Sequence, residues 1–189
     1  MAGDLFRTSG YDHASMEAVV QATGLNRYAL YKTFGGKQDL FIAAFQAYHE
    51  QAKAAMATLA ARADFTALQA LEAAVIAHVR EVCDAPDSGV RGCLTCIAMT
   101  EVAPHEPEVH AAVQAVLDDM RAVFGNVFET ARGAGEIQPE TDPQRCAALL
   151  ASLLVGFGAQ ARIGQTAADL EPLVTTFFDA LRAPPSSAG

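Results

Sequence analysis

The chain has 189 residues, of which 51% are hydrophobic, and a net charge of −9. That length suits one compact body with a small appendage, and the apolar share is enough for a sizeable core, which excludes a disordered or fibrous chain. The longest apolar stretch, Cys146 to Ala161, is shorter than a bilayer span and is interrupted by Gly156 and Gly158; with no charged-then-apolar export pattern at the N-terminus, this predicts a cytoplasmic protein without a membrane partner.

The charge is unevenly divided. Residues 1–53 hold five Lys/Arg and five Asp/Glu, whereas residues 54–189 hold eight against seventeen and carry the whole −9. Between Gly24 and Gln38 there are three cations, Arg27, Lys32 and Lys37, and no acid. An acidic body that repels nucleic acid restricts contact to the one face where cations cluster, and such contact is salt-dependent.

In chain order, a short helix near the start leads through Gly10 and Tyr11 to Ser15, which can cap a helix whose apolar positions Met16, Val19, Val20 and Ala22 turn inward. Gly24 then supplies a sharp reversal and Leu25 seals the corner. Asn26 can cap a second helix, with Ala29, Leu30 and Phe34 as its buried stripe. The opposite face is left to Arg27, Tyr28, Tyr31, Lys32 and Thr33, with Lys37 following at the start of a third helix. Arginine bonds bidentately to guanine edges or phosphate, tyrosine hydroxyls suit phosphate oxygens, and lysine adds a sequence-blind charge. This is the layout of a DNA-reading helix-turn-helix.

The residues GY at 10–11 and TGLNRYALYKTFGGKQDLF at 23–41, followed by an acidic helical remainder, resemble the TetR family of bacterial repressors. The resemblance implies an all-α fold: a helix-turn-helix DNA-binding domain over residues 1–48 and a helical ligand-binding and dimerisation domain over 49–189. It also implies that Ser15, Arg27, Tyr28, Tyr31, Lys32, Thr33 and Lys37 lie at the DNA. Two departures stand out. Family members usually carry a small residue where Tyr28 stands, so this helix either reads a different base or presses on the backbone. They also have a longer first helix, often preceded by a basic arm. The sequence here begins MAGDLFRTSGY, which, if Met1 is the true start, limits that helix to about Ala2 to Thr8, below the length that holds without tertiary support, and weakens DNA affinity.

Beyond the reader, apolar spacing predicts a long helix from Lys37 to about Ala61, another from about Phe65 to Cys83, and a loop at 85–89. A helix follows from about Arg91 to Ala103, stopped by Pro104, then one from Pro107 to about Arg132. After the break GAGEIQPETDP come helices from Pro143 to Ile163 and from Ala167 to Leu181, and a frayed PPSSAG tail.

Leu149, Leu150, Leu153, Leu154 and Phe157 form a stripe flanked by small residues, and Leu173, Val174, Phe177, Phe178 and Leu181 form another beside Leu170. These either fill the core of a single chain or pair two chains. The family resemblance favours a homodimer with a four-helix interface, presenting two reading helices to half-sites about 34–36 Å apart on a roughly palindromic double-stranded DNA operator.

Cys93 and Cys96 stand three apart, with Cys83 before them and Cys146 far away. A helix N-terminus and Arg91 can lower a thiol's pKa, making Cys93, resolved by Cys96, a sensor of electrophiles or oxidants. The other reading is of small apolar cysteines packed in the core. A Gly-Cys at this place resembles a branch of the family related to the repressor of N-ethylmaleimide reductase. No zinc spacing accompanies these cysteines, as His78, His105 and His110 are poorly placed, so neither metal nor cofactor is implied. Helical bodies of this family bind small molecules, and Val75, His78, Val79, Cys96, Met99, Thr100, Met120, Phe124 and Phe128 mix apolar walls with a few polar groups as the lining for an inducer of unknown identity. If dimer arrangements differ in the separation of the reading helices, the long helix from Lys37 is the natural lever between body and reader.

No nucleotide loop, hydrolase elbow or zinc-protease motif is present, so no catalytic residue is assigned and the protein is read as a regulator rather than an enzyme. Two other readings stand beside it: a helical dimeric interaction module that does not bind DNA, and a thiol redox protein using Cys93 and Cys96.

Overall fold

The computed structural model describes residues 2–83 and 92–183. Its α-helices are α1 (Ala2–His13), α2 (Met16–Thr23), α3 (Arg27–Phe34), α4 (Lys37–Ala60), α5 (Ala67–Cys83), α6 (Leu94–Ile97), α7 (Pro107–Gly133), α8 (Pro143–Arg162) and α9 (Ala167–Leu181). Helices α4, α5, α7, α8 and α9 start and stop close to the bounds that the sequence predicts. The loop predicted at 85–89, the position of Arg91 and the PPSSAG tail lie outside the described residues.

The first helix is longer than its sequence predicts. It runs to His13 in two pieces about Gly10, whose φ of 77° only glycine adopts without strain. Tertiary contact supplies what length does not: Phe6 is fully buried and meets the Phe41 ring edge-on at 5.0 Å, and Tyr11 meets the same ring at 5.1 Å.

The turn between α2 and α3 forms as its chemistry dictates. Ser15 accepts from the amide of Ala18 at 3.1 Å, Asn26 accepts from that of Ala29 at 2.7 Å, and Gly24 is left-handed at φ 69°. Met16, Val19 and Leu30 are buried, but Ala22 is exposed and Leu25, 48% exposed, does not seal the corner. A short two-helix unit buries only one stripe per helix, and Leu25 precedes α3 on the outer side of the reversal.

The segment expected to form one helix from 91 to 103 is the second difference. Gly92 has φ 95° and Cys93 is extended, so helix cannot begin before Leu94. After α6 the chain widens into a single π turn over Ala98–Val102, closed by the Ala103 amide donating to the Ala98 carbonyl at 2.8 Å.

Two buried clusters result. One joins the reader to the middle of the chain, placing Phe6, Val19, Leu30, Phe41 and Phe45 against Leu94, Ile97, Val102, Val109 and Val113. The other lies among α5, α7, α8 and α9 and contains Val75, Val79, Phe124, Phe128, Leu150, Leu154, Phe157, Val174 and Phe178. Tyr48 on α4 packs against both. Among the described residues, no helix is long and apolar enough to cross a membrane.

Candidate functional site

The outer face of α3 carries Arg27, Tyr28, Tyr31, Lys32 and Thr33, all exposed, with Tyr28 at 75%. The side chains already order one another. The Arg27 guanidinium lies 5.6 Å from the Tyr31 ring centre, and its Nη1 is 2.5 Å from Glu17 Oε1; the Lys32 ammonium sits 6.0 Å from the Tyr28 ring. The Arg27–Glu17 pair is solvent-exposed, so an incoming phosphate can replace the carboxylate. Lys37 is anchored, its Nζ donating to the Asp12 carbonyl at 3.2 Å and stacking 4.5 Å over Tyr11. Ser15 is exposed, and its hydroxyl is engaged as the cap of α2.

A cavity of about 170 Å³ lies beneath α4, between it and α5, α7 and α8. Of the lining residues named from sequence, Val75, His78, Met120 and Phe124 face it. Val79 and Phe128 are instead fully buried in the body core, and Cys96, Met99 and Thr100 are not among the lining residues, because the π turn carries Met99 and Thr100 past it. Sequence reasoning missed the α4 wall, formed by Tyr48, His49, Lys53, Met56 and Leu59, as well as Glu81, Leu154 and Val155. The helical spacing of Tyr48, Ala52, Met56 and Leu59 was the available signal.

Cys93 lines this cavity and is 4% exposed. The Tyr48 hydroxyl donates to its Sγ at 3.7 Å, and His78 Nδ1 stands 3.8 Å from Glu81 Oε2. Burial opposes ionisation of the thiol, but the hydrogen bond and charge of His78, the Thr95 hydroxyl and a backbone hydrogen bond at Cys96 outweigh it, bringing Cys93 from 9.0 down to about 6. Burial likewise opposes the imidazolium of His78, yet hydrogen bonds to Cys93 and Glu81 and their charges raise it from 6.5 to about 9. A thiolate–imidazolium pair therefore stands in the wall of a largely apolar cavity near neutral pH, with His49, Lys53 and Glu81 as its other ionisable lining groups. Cys96 moves the other way, pushed up by burial and by the charge of Cys93. The four cysteines are free thiols, and among the described residues no group of three or more His, Cys, Asp or Glu could hold a metal ion.

The stripes on α8 and α9 divide between inside and outside. Leu150, Leu154, Phe157, Val174 and Phe178 are buried within the single chain, so as core residues they have no surface to give a partner. Leu149 and Leu173 are about half exposed, and Leu153, Phe177 and Leu181 are partly buried.

An exposed helix-turn-helix reader built onto a helical body has the architecture of a DNA-binding transcriptional regulator. Residues 2–44 match the family model described as bacterial regulatory proteins, tetR family, and residues 65–177 match the tetracyclin repressor-like C-terminal domain. The chain belongs to the TetR family of transcriptional regulators. It is 26% identical over 139 residues, 72% of this chain and 69% of the relative, to the uncharacterized HTH-type transcriptional regulator YezE of Bacillus subtilis. Among solved structures it is similar to a TetR transcriptional regulator from Chloroflexus aurantiacus, with 28% identity, a TM-score of 0.79, and 97% and 93% of the two chains covered. It is also similar to a cysteine-substituted form of the TetR-family regulator CifR complexed with 26-base-pair operator DNA, at 25% identity, TM-score 0.79, covering 95% and 92%.

Proposed function

We propose that this regulator is a repressor that binds a roughly palindromic operator as a homodimer and leaves it when the α4–α5–α7–α8 cavity takes up a small molecule or when Cys93 is covalently modified. Residues 1–48 form the DNA-binding unit and 49–189 the ligand-binding and dimerisation unit. Arg27, Tyr28, Tyr31, Lys32 and Thr33 meet the DNA directly, Lys37 supports them near phosphate, and Ser15 holds α2 in place. The likeness to the operator-bound CifR structure supports this reading of the reader.

The observation that carries the release step is the position of Cys93: an activated thiol lining a cavity whose roof is α4, the helix that continues from the reader into the body. An occupant or adduct there presses on Tyr48, which packs against both clusters. A differential affinity of about 1–3 kcal/mol between the two dimer arrangements changes DNA affinity by about 5–150-fold. Cys96 is not among the lining residues, so no dithiol site faces the cavity.

The test is fluorescence anisotropy with DNA from just upstream of the protein's own gene, at two salt concentrations, with and without a thiol-reactive electrophile. Saturable, salt-weakened binding abolished by the electrophile supports a thiol-gated repressor. Binding indifferent to it assigns release to a non-covalent ligand, and no saturable binding refutes the operator reading.

A further inference from the structure

We propose that Arg7 of α1 is the positioning residue that transmits the state of Cys93 to the DNA-reading unit, so that the signal enters the reader through its first helix and not through α4 alone. The inference rests on the thiol-release reading above.

Arg7 belongs to the reader, but its side chain reaches Glu81 and Tyr48, two residues of the cavity wall. It is only 7% exposed. Its Nε donates to the Gly92 carbonyl at 2.9 Å, its Nη1 donates to Glu81 Oε1 at 3.2 Å, and its guanidinium lies 5.5 Å from the Tyr48 ring centre. Each of these partners leads on to the thiol, directly or through His78. Gly92 precedes Cys93 in the chain, Glu81 turns its other oxygen to His78 at 3.8 Å, and Tyr48 donates to Sγ at 3.7 Å. Arg7 thus touches two neighbours of Cys93, Gly92 and Tyr48, and also Glu81, the partner of His78.

The arrangement is poorly explained by stability. A buried guanidinium needs every N–H paired, yet Nη2 has no hydrogen-bond partner among the described residues. A single carboxylate, Glu81, is shared between Arg7 and His78. That sharing makes the contact responsive: conversion of the thiolate to a neutral thioether removes the anion that sustains the His78 charge and redistributes Glu81 between its two cations. An adduct also displaces Tyr48 and Gly92, two further contacts of Arg7, and leaves Asp4, 3.8 Å from Nη1 within α1 itself, as its remaining ion-pair partner.

At the far end, movement of Arg7 reaches the reader core directly. The adjacent Phe6 is fully buried against Phe41 at the base of α4, close to where α3 ends. A second tie limits how α1 can move: the Tyr11 amide donates to Glu101 Oε2 at 2.9 Å, and Glu101 pairs with Arg162 at 3.2 Å. With Tyr11 held, displacement at Arg7 pivots α1 about the Gly10 bend rather than translating it.

The experiment compares operator affinity before and after stoichiometric alkylation of Cys93 by iodoacetamide, in which the thiolate displaces iodide: the S–C bond forms, C–I breaks, and iodide leaves with the electron pair. In the native chain the affinity falls by about tenfold or more, within the range of allosteric coupling. In Arg7→Met the same modification changes affinity by less than about twofold, and Arg7→Lys, which keeps one charged donor, recovers part of the response. Modification of Cys93 in Arg7→Met is brought to the same stoichiometry, read by mass spectrometry, and the operator affinity of the unmodified variant stays within about twofold of native; a merely structural defect lowers that unmodified affinity as well. If Arg7→Met does not fold, Glu81→Gln removes the shared carboxylate from the other side and must also shrink the response. A full response in both Arg7→Met and Glu81→Gln overturns the relay and leaves the thiol reading intact. A native chain whose affinity is indifferent to alkylation overturns both.

Discussion

Gly158 of α8 leaves the space that the Cys93 side chain fills: a Cβ built on Gly158 falls 2.4 Å from Cys93 Cβ and 3.3 Å from its backbone nitrogen. Neither neighbour is the free end of a flexible side chain, so the extended backbone at 93 would have to shift. Gly158→Ala gains about 0.5–1 kcal/mol of helix propensity. It loses about 1–3 kcal/mol to overpacking. The expected outcome is a chain destabilised by about 1–2 kcal/mol in urea unfolding, with a changed rate of Cys93 alkylation. A variant as stable as native and with native thiol reactivity would show that the fit of α8 against Cys93 is looser than its geometry states.

The pH profile of that alkylation follows from the thiolate–imidazolium pair. Cys93 titrates near 6 instead of 9.0, so the reactive thiolate is lost only as pH falls through about 6 and is nearly complete at neutrality. Because His78 holds its proton up to about 9, the pair persists across the interval between the two values. Native chain therefore alkylates at a rate almost flat from about pH 7 to 8, whereas His78→Gln shifts the midpoint up, toward or above that of an ordinary thiol. The measurement is the rate of iodoacetamide incorporation at Cys93 by mass spectrometry, and a native midpoint above about 8 contradicts the pairing.

The reading face is tested by removing one side chain at a time. Lys32→Ala leaves a buried core untouched, because Lys32 is exposed. It is expected to weaken binding to all sequences alike and to lower the salt slope by about one. Tyr31→Ala removes an exposed ring stacked on Arg27 and loses operator affinity without a change in unfolding midpoint. Asn26→Ala acts through the fold instead: losing the cap that accepts from the Ala29 amide destabilises α3 by about 1 kcal/mol, visible as a lower unfolding midpoint as well as weaker binding.

The reader was legible from sequence because short-range rules govern it: a cap at Ser15, a left-handed Gly24, a cap at Asn26 and one polar helix face. The long helices were legible for the same reason, through apolar period and Pro at the first turn of α7 and α8. What escaped was set by contacts distant in sequence. The first helix extends past Thr8 because Phe6 and Tyr11 find Phe41, and the expected helix from 91 starts late because Gly92 and Cys93 must fit against Arg162 and Gly158. Cys93, singled out for its chemistry, lines the cavity with His78, while Cys96, three residues on, is absent from the lining; Cys93 is extended ahead of α6 whereas Cys96 lies inside it, and that late helix start leaves no mark in the periodicity. Arg7, Tyr48 and Glu81 were not singled out, because each is ordinary in its own helix and acquires a role only where α1, α4 and α5 meet.

The division of the α8 and α9 stripes gives a test of the dimer that separates assembly from folding. Leu150 and Leu154 are 1% and 7% exposed, so an acidic substitution at either buries an unpaired charge and unfolds the chain whether or not it pairs with a copy of itself. Leu149 and Leu173 are 53% and 49% exposed, and in a solitary chain Leu149→Asp and Leu173→Asp would be nearly neutral, within about 0.5 kcal/mol. In a two-fold dimer each substitution appears twice across the isologous interface and places like charges where apolar contact stood. The proposed homodimer therefore predicts that Leu149→Asp and Leu173→Asp yield folded, helical monomers by sedimentation velocity, with operator affinity reduced because one half-site is then read at a time. If both variants sediment as the native chain does, these faces of α8 and α9 are not the dimer interface.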